Sequence, residues 1–302
     1  MDFSDAKATF GLACIGTPTS TGASGTLQLG GYSQDTQLTE VDVAYSVRAI
    51  IVSSASYFEI VPTTGVTSTS SAFTAGTAQV ETATIVAAGG CNSNGTMALV
   101  VTSAGMTGNP RTVNVVLTIA QHTTAALITT AARTALAADA VIAARFTVGG
   151  TSAAITLTRR PTNTFTVPGG TLNFYAANDT TLNLAIPTGL GVTAAASSTN
   201  TTAGVATSGC KIYDGDGKDL EGVTIPTISE LRAFRITLET VDGVSESMLW
   251  EIDSASQFIQ LNSGQQIQST ATQLAPLNMP TPWKFSPDSG PMDMTLTIFG
   301  TT

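Results

Sequence analysis

Few residues in this sequence have the chemistry to break a bond or to hold an ion. His122 is the single histidine. A nucleophilic triad would have to use it. It follows an alternating apolar stretch and precedes a Thr-rich one, with no Cys, Asp or Glu close by, so it reads as a loop or capping residue. Cys14, Cys91 and Cys210 are far apart and odd in number. Without Cys-x-x-Cys or Cys/His spacing they read as small buried hydrophobes, not as a zinc site or disulfide framework. No Gly-x-Ser-x-Gly elbow and no phosphate-cradling loop occurs.

The densest acidic group is Asp214-Gly215-Asp216-Gly217-Lys218-Asp219. Calcium takes six to eight hard oxygens, and alternate Asp residues supply some of them. Asp214, Asp216 and Asp219 are therefore weak metal candidates. An EF-hand would need a carboxylate where Ile225 stands and a glycine where Asp219 stands. Asp and Gly are favoured in turns by backbone chemistry alone, so a solvated β-turn is the simpler expectation. Carboxylates for glycoside cleavage can come from distant strands. Here acidic residues are sparse, and Trp250 and Trp283 are the two tryptophans. The sequence predicts no catalytic residue, no enzyme activity and no cofactor.

Two further groups suit contacts between subunits. Arg159-Arg160-Pro161 follows a strand pattern, either as a partner for an acidic neighbouring subunit or as a solvated turn. Trp283 and Phe285 lie among Pro276, Pro280, Pro282, Pro287 and Pro291. Aromatics on rigid loops suit an intersubunit contact. Packing over one end of the protein's own sheet fits them equally.

Composition narrows the class. The chain has 302 residues, a net charge of −9 and 42% hydrophobic residues. Thr fills about one position in six, far above ordinary usage. A β-branched hydroxyl side chain fits a half-wet pleated surface. The four lysines and eight arginines are scattered, apart from the Arg159–Arg160 pair. Counterion release needs clustered cations, so no direct nucleic-acid contact is expected. An acidic chain is repelled by anionic lipid, and no apolar run nears the ~20 residues of a membrane span. The start, Met1-Asp2-Phe3-Ser4-Asp5, lacks a basic-then-apolar leader and predicts synthesis in a cytoplasm without export.

The elements that must position these residues are mostly short strands. In residues 1–89 the patterns fall at Thr26–Leu29, Val41–Val47, Ala49–Val52, Tyr57–Val61 and Val80–Val86, with a polar turn region over Ser68–Gly76. Residues 90–209 read β-β-α-β-β. Met97–Thr102 and Thr112–Ala120 flank a Gly105–Pro110 turn, and a helix over Thr123–Asp139 is capped by Thr123 or Thr124. Its apolar rows are Leu127, Ala131, Ala135 and Ile128, Ala132, Leu136, with Arg133 outside them and Thr129 free to be. A hairpin over Phe146–Val148 and Ile155–Thr158 turns at Gly149-Gly150, and Leu172–Tyr175 and Leu182–Ile186 extend the β pattern. Ala194–Gly209 reads as a Ser/Thr/Ala-rich linker. In residues 210–302, strands are predicted at Leu231–Glu239, Met248–Ile252, Phe258–Leu261 and Met292–Gly300.

Tyr45-Ser46-Val47-Arg48-Ala49, after Gln37-Leu38-Thr39-Glu40, shares an acidic-turn and Arg-Ala pattern with Leu231-Arg232-Ala233, after Asp219-Leu220-Glu221. This fits either a duplicated module or two halves of one β-sandwich interrupted by the middle segment.

The middle segment resembles a module of phage virion and tail-associated proteins. The likeness rests on Val101–Pro110, Val113–Val116, the helix end Ala135–Asp139, Phe146–Gly150, Ile155–Arg159 and Ala177–Leu184. It covers a little over a third of the chain and includes no catalytic residue. The ending Thr297-Ile298-Phe299-Gly300-Thr301-Thr302 resembles that of small phage β proteins of the capsid decoration or cement type, jelly-roll in fold and often trimeric. The N-terminal segment and middle insertion are more than such a small protein carries.

The resemblance implies a mainly β protein. Segments 1–89 and 210–302 would pack together as a β-sandwich or jelly-roll-like body, with 90–209 inserted. It implies a structural subunit of a tailed-phage virion, a bacteriophage decoration or cement protein that stabilises the head. Its partners would be other copies of itself, as a homo-oligomer such as a trimer, and the major capsid protein. Nucleic acid and membrane would not be partners, and the location would be the virion. Three rival expectations are a tail-tube or tail-tip subunit, a glycan-binding fibre or adhesin, and a glycan-degrading virion enzyme.

Overall fold

The alternating residues 42–47 and the apolar run after them form one strand, not two. β1 (Asp42–Ile51) buries Val47, Ala49, Ile50 and Ile51. A computed structural model describes residues 42–53, 55–61, 67–70, 72–193, 197–220, 230–239, 247–252, 257–262, 266–268, 283–287 and 290–301. The Thr26–Leu29 strand expectation and residues 276, 280 and 282 lie outside them. The chain is mainly β and divides into two compact units. The first holds Met1–Thr74, Asn163–Leu172 and Ser208–Thr302, and the second holds Ala75–Thr162 and Asn173–Thr207.

Among the described residues the first unit opens with β1, β2 (Phe58–Val61) and β3 (Thr67–Ser70). Ser68 is therefore in a strand, where the sequence suggested a turn. Its Thr/Ser run pairs antiparallel with β2, as β-branched hydroxyl residues can. Following the insertion come β13 (Cys210–Asp214), β14 (Glu230–Glu239), β15 (Ser247–Ile252), β16 (Gln257–Asn262), β17 (Gln266–Gln268), β18 (Trp283–Pro287) and β19 (Met292–Thr301). One sheet runs β13-β1-β19-β14-β17 and the other β16-β15-β18-β2-β3. All these pairings are antiparallel.

β19 is the central strand of the first sheet, between β1 and β14. Met292, Met294 and Leu296 are fully buried. Arg48 of β1 holds Asp293 through Nε at 3.0 Å and Nη2 at 2.7 Å. The Ser46 and Thr297 hydroxyls meet at 2.9 Å, a cross-strand pair of the kind that supports a sheet. The two strands with Arg-Ala patterns, β1 and β14, flank β19 on either side. They meet it at different heights: Ala49 lies opposite Met294, and Ala233 opposite Phe299.

The second unit begins at Ala75, not Gly90, because β4 (Val80–Thr84) is bonded into its sheet. Next are β5 (Gly95–Thr102) and β6 (Arg111–Leu117). Helix α1 (Ala125–Ala138) and the short α2 (Ala140–Arg145) lead to β7 (Phe146–Gly149) and β8 (Ala154–Arg159). The chain then passes through a ribbon of β9 (Asn163–Val167) and β10 (Gly170–Phe174), of which Asn163–Leu172 belongs to the first unit, and β11 (Asn183–Ala185) and β12 (Thr199–Thr202) complete the second. The unit has a sheet β11-β5-β6 and a sheet β12-β4-β8-β7. β12 lies within the segment read as a linker. It pairs with β4, and the Thr82 and Thr201 hydroxyls meet at 2.9 Å.

Leu99, Val101, Leu117, Ile128, Leu136, Phe146, Ile155 and Leu157 form one core from both sheets and α1. Each large buried side chain contributes about 1.5–3 kcal/mol. Thr124 caps α1 by accepting from Leu127 N–H at 3.3 Å. The buried face differs from the sequence expectation. Leu127 is 44% exposed, and Thr129 is fully buried. The Thr129 hydroxyl donates to the Ala125 carbonyl at 2.7 Å, which satisfies it without solvent. In the β7–β8 turn, Gly150 has a φ of +112°, and a Cβ there would collide with the Ala154 carbonyl.

Candidate functional site

A cleft of about 620 Å³ opens in the second unit where α2 meets the β7–β8 hairpin. Sequence order and strand register together build it. Arg145 ends α2 immediately before β7, and Phe146 pairs with Arg159 at the end of β8. The Arg160 N–H donates to the Arg145 carbonyl at 2.9 Å. The antiparallel register thus sets Arg145 across from Arg160, with Arg159 beside them. Met106, Val141, Ala144 and Pro161 supply apolar wall, and Thr107 and Thr162 add hydroxyls.

Each guanidinium is anchored to backbone and not to an acid. Arg145 Nη2 donates to the Ala104 carbonyl. Arg159 Nη1 donates to Ala177 O at 3.0 Å, and Arg160 Nε to Phe146 O at 3.3 Å. Arg145 Nε is buried without an acceptor among the described residues. Burial, followed by the Arg159 charge, pushes the Arg145 guanidinium below its ordinary range, with Asp179 pulling the other way. Arg48 and Arg111, by contrast, each hold an aspartate at 2.7 Å.

Behind the cleft lies a buried polar network. Ser103 Oγ and Ala104 N–H donate to Asp179 Oδ2 at 2.8 and 2.9 Å. The Thr181 N–H and hydroxyl donate to Oδ1 at 2.9 and 2.7 Å. Burial pushes this carboxyl up, but the hydrogen bonds from Thr181, Ser103 and Ala104 outweigh it and bring the group down to about 2. Gln79 holds the Asp179 backbone from both sides, at 2.9 and 2.7 Å. Glu81 is also buried. Its Oε1 accepts from Ser198 Oγ at 2.8 Å, and its Oε2 has no partner among the described residues. Burial raises its pKa, partly offset by the Ser198 bond, and the Asp179 charge raises it further.

The other sequence candidates fall into structural roles. Asp214 Oδ1 accepts from Asp216 N–H at 3.0 Å and Lys218 N–H at 2.7 Å, closing its own turn. Asp219 pairs with Lys211 at 2.6 Å. Among the described residues no three His, Cys, Asp or Glu side chains are grouped to hold a metal. Of the two readings of Phe285, the structure matches packing on the protein's own sheet: it is fully buried and stacks on Phe58 at 6.3 Å. It occupies β18, whose alternation turns it inward. Trp283 starts β18 opposite Ile60, and its side chain lies outside the described residues. His122 Nδ1 accepts from Thr118 N–H at 3.0 Å and fixes the turn after β6. Cys91 and Cys210 are buried free thiols, and burial pushes the Cys210 thiol up to about 12. Cys14 lies outside the described residues.

Sequence reading found Arg159 and Arg160 but missed Arg145. The signal was present: pairing outward from Gly149-Gly150 brings the residue before Phe146 to the pair after Thr158.

The fold and site define a mainly β, two-unit protein with a cationic cleft. No family model, curated protein or solved structure matches the chain. No helix among the described residues is long and apolar enough to cross a membrane.

Proposed function

We propose that this chain is a structural subunit of a tailed-phage virion, with the capsid decoration or cement role preferred. The observation that carries the reading is the strand order of the first unit. Take β1, β2, β14, β15, β16, β17, β18 and β19 as strands one to eight. The first sheet then reads one-eight-three-six, and the second two-seven-four-five. That order supports a jelly-roll reading of the first unit, an architecture used for viral capsid domains and also for lectins. β3 and β13 extend the sheet edges, and the second unit is inserted between strands two and three.

Fold alone does not fix function, so the sequence resemblance to phage virion modules supplies the second support. The role is mechanical. Repeated copies bury complementary surface, each contact modest and the sum large.

Electron microscopy of the purified protein tests this. Compact oligomers, such as trimers, are the expected result. Stacked rings or tubes would assign the chain to the tail. Release of reducing ends from host polysaccharide would overturn the mechanical role.

A further inference from the structure

Charge is distributed unevenly between the two units. The second unit carries five cations, Arg111, Arg133, Arg145, Arg159 and Arg160, against three anions, Glu81, Asp139 and Asp179, a net of +2. The rest of the chain carries seven cations and eighteen anions, a net of −11.

The three anions of the second unit are all committed within it. Asp139 holds Arg111, Asp179 is saturated by hydroxyls and N–H groups, and Glu81 is buried against Ser198. Arg133 is turned to the Ala154 carbonyl and the Thr130 hydroxyl. Of the four arginines of the second unit that hold no carboxylate among the described residues, three, Arg145, Arg159 and Arg160, line the cleft. Like charges set opposite each other in a sheet cost stability. The Arg159 charge acts on the Arg145 guanidinium, and an anion entering the cleft offsets that repulsion. Guanidinium forks bind carboxylates with good geometry, and partial desolvation strengthens the bond.

We infer that the Arg145–Arg159–Arg160 cleft is a docking site for a carboxylate-bearing segment of the acidic unit of a second copy of this chain. This deepens the structural-subunit reading and rests on it. The contact is heterologous, since one copy offers its cationic cleft and the next its acidic surface, and such contacts propagate or close into rings. An acidic sugar fits less well: the lining holds no aromatic ring on which a pyranose could stack.

The test is self-association of the full chain by sedimentation-equilibrium analytical ultracentrifugation, at low and high salt. Three proteins are compared: wild type, R159Q/R160Q and R159K/R160K, each first checked for an unchanged thermal transition. The expected result is wild-type association at about 50 mM salt that weakens steeply as salt rises. R159Q/R160Q should associate at least about tenfold more weakly, with the Lys variant in between. A poly-glutamate peptide should compete with wild-type association, and a poly-lysine peptide should not. Unchanged association in R159Q/R160Q would overturn the docking site and leave the subunit reading standing. A wild-type chain that stays monomeric to about 100 µM would contradict both.

Discussion

Arg145 and Asp179 meet at the backbone of Ala104: the carboxylate accepts its N–H at 2.9 Å, and the guanidinium donates to its carbonyl. One peptide segment after β5 is thus held between an acid and a base that do not bond each other directly. The acid also fixes Ser103 and Thr181. The wall of the cationic cleft is positioned by this buried network.

Asp179→Asn should therefore destabilise the second unit and disturb the cleft together. Its depressed folded pKa, about 2 against an ordinary 3.8, sets the sign. The stabilisation is present in full above the ordinary value and is lost as pH falls through about 2. Hydrogen bonds to a charged group contribute about 1.5–3 kcal/mol. Thermal melts should show a loss for the variant at pH 7 that shrinks toward pH 2. A loss that does not change with pH would assign the effect to packing alone.

Glu81 carries the opposite sign. Burial is the main cause of its raised pKa, so the folded state holds the proton more tightly than the unfolded chain. Its contribution is favourable at low pH and is lost as pH rises past the ordinary 4.5 and through the folded value. The melting temperature of Glu81→Gln relative to wild type should become more favourable between about pH 4 and pH 8, by a few degrees. A difference that is flat with pH would contradict this.

Asp139 joins the two helices. Its Oδ1 accepts from Val141 and Ile142 N–H at 3.1 and 3.2 Å, and its Oδ2 takes Arg111 Nε and Nη2 at 3.0 and 2.7 Å. The Arg111 bond is the main reason that its pKa is lowered. Asp139→Ala should cost about 1–2 kcal/mol through the lost cap. It should also speed amide exchange in α2, which forms one wall of the cleft. Unchanged exchange at Val141 and Ile142 would show that the cap is not what holds α2.

The strands of the second unit were legible because their alternation is local: Val113, Val115 and Leu117 turn inward as their spacing demands. The sequence also named the cap of α1. It misjudged Thr129 because an intrahelical hydroxyl bond hides a polar residue from any hydropathy pattern. It took the segment containing Thr199–Thr202 for a linker because pairing with β4, not a hydrophobic face, makes that strand. Phe285 was ambiguous for a different reason. Its neighbours in sequence are prolines and polar residues, while its packing partner Phe58 is far away along the chain. The cleft needed three arginines from two elements, and only the adjacent pair is conspicuous in one dimension.

A decoration or cement subunit is a built-in part of the particle it stabilises. Antibody raised against the purified protein and applied to intact, purified phage particles, viewed by electron microscopy, measures this directly. Regular labelling over the head is the predicted result. Particles that carry no label, although the protein is abundant in the infected-cell lysate, would contradict it.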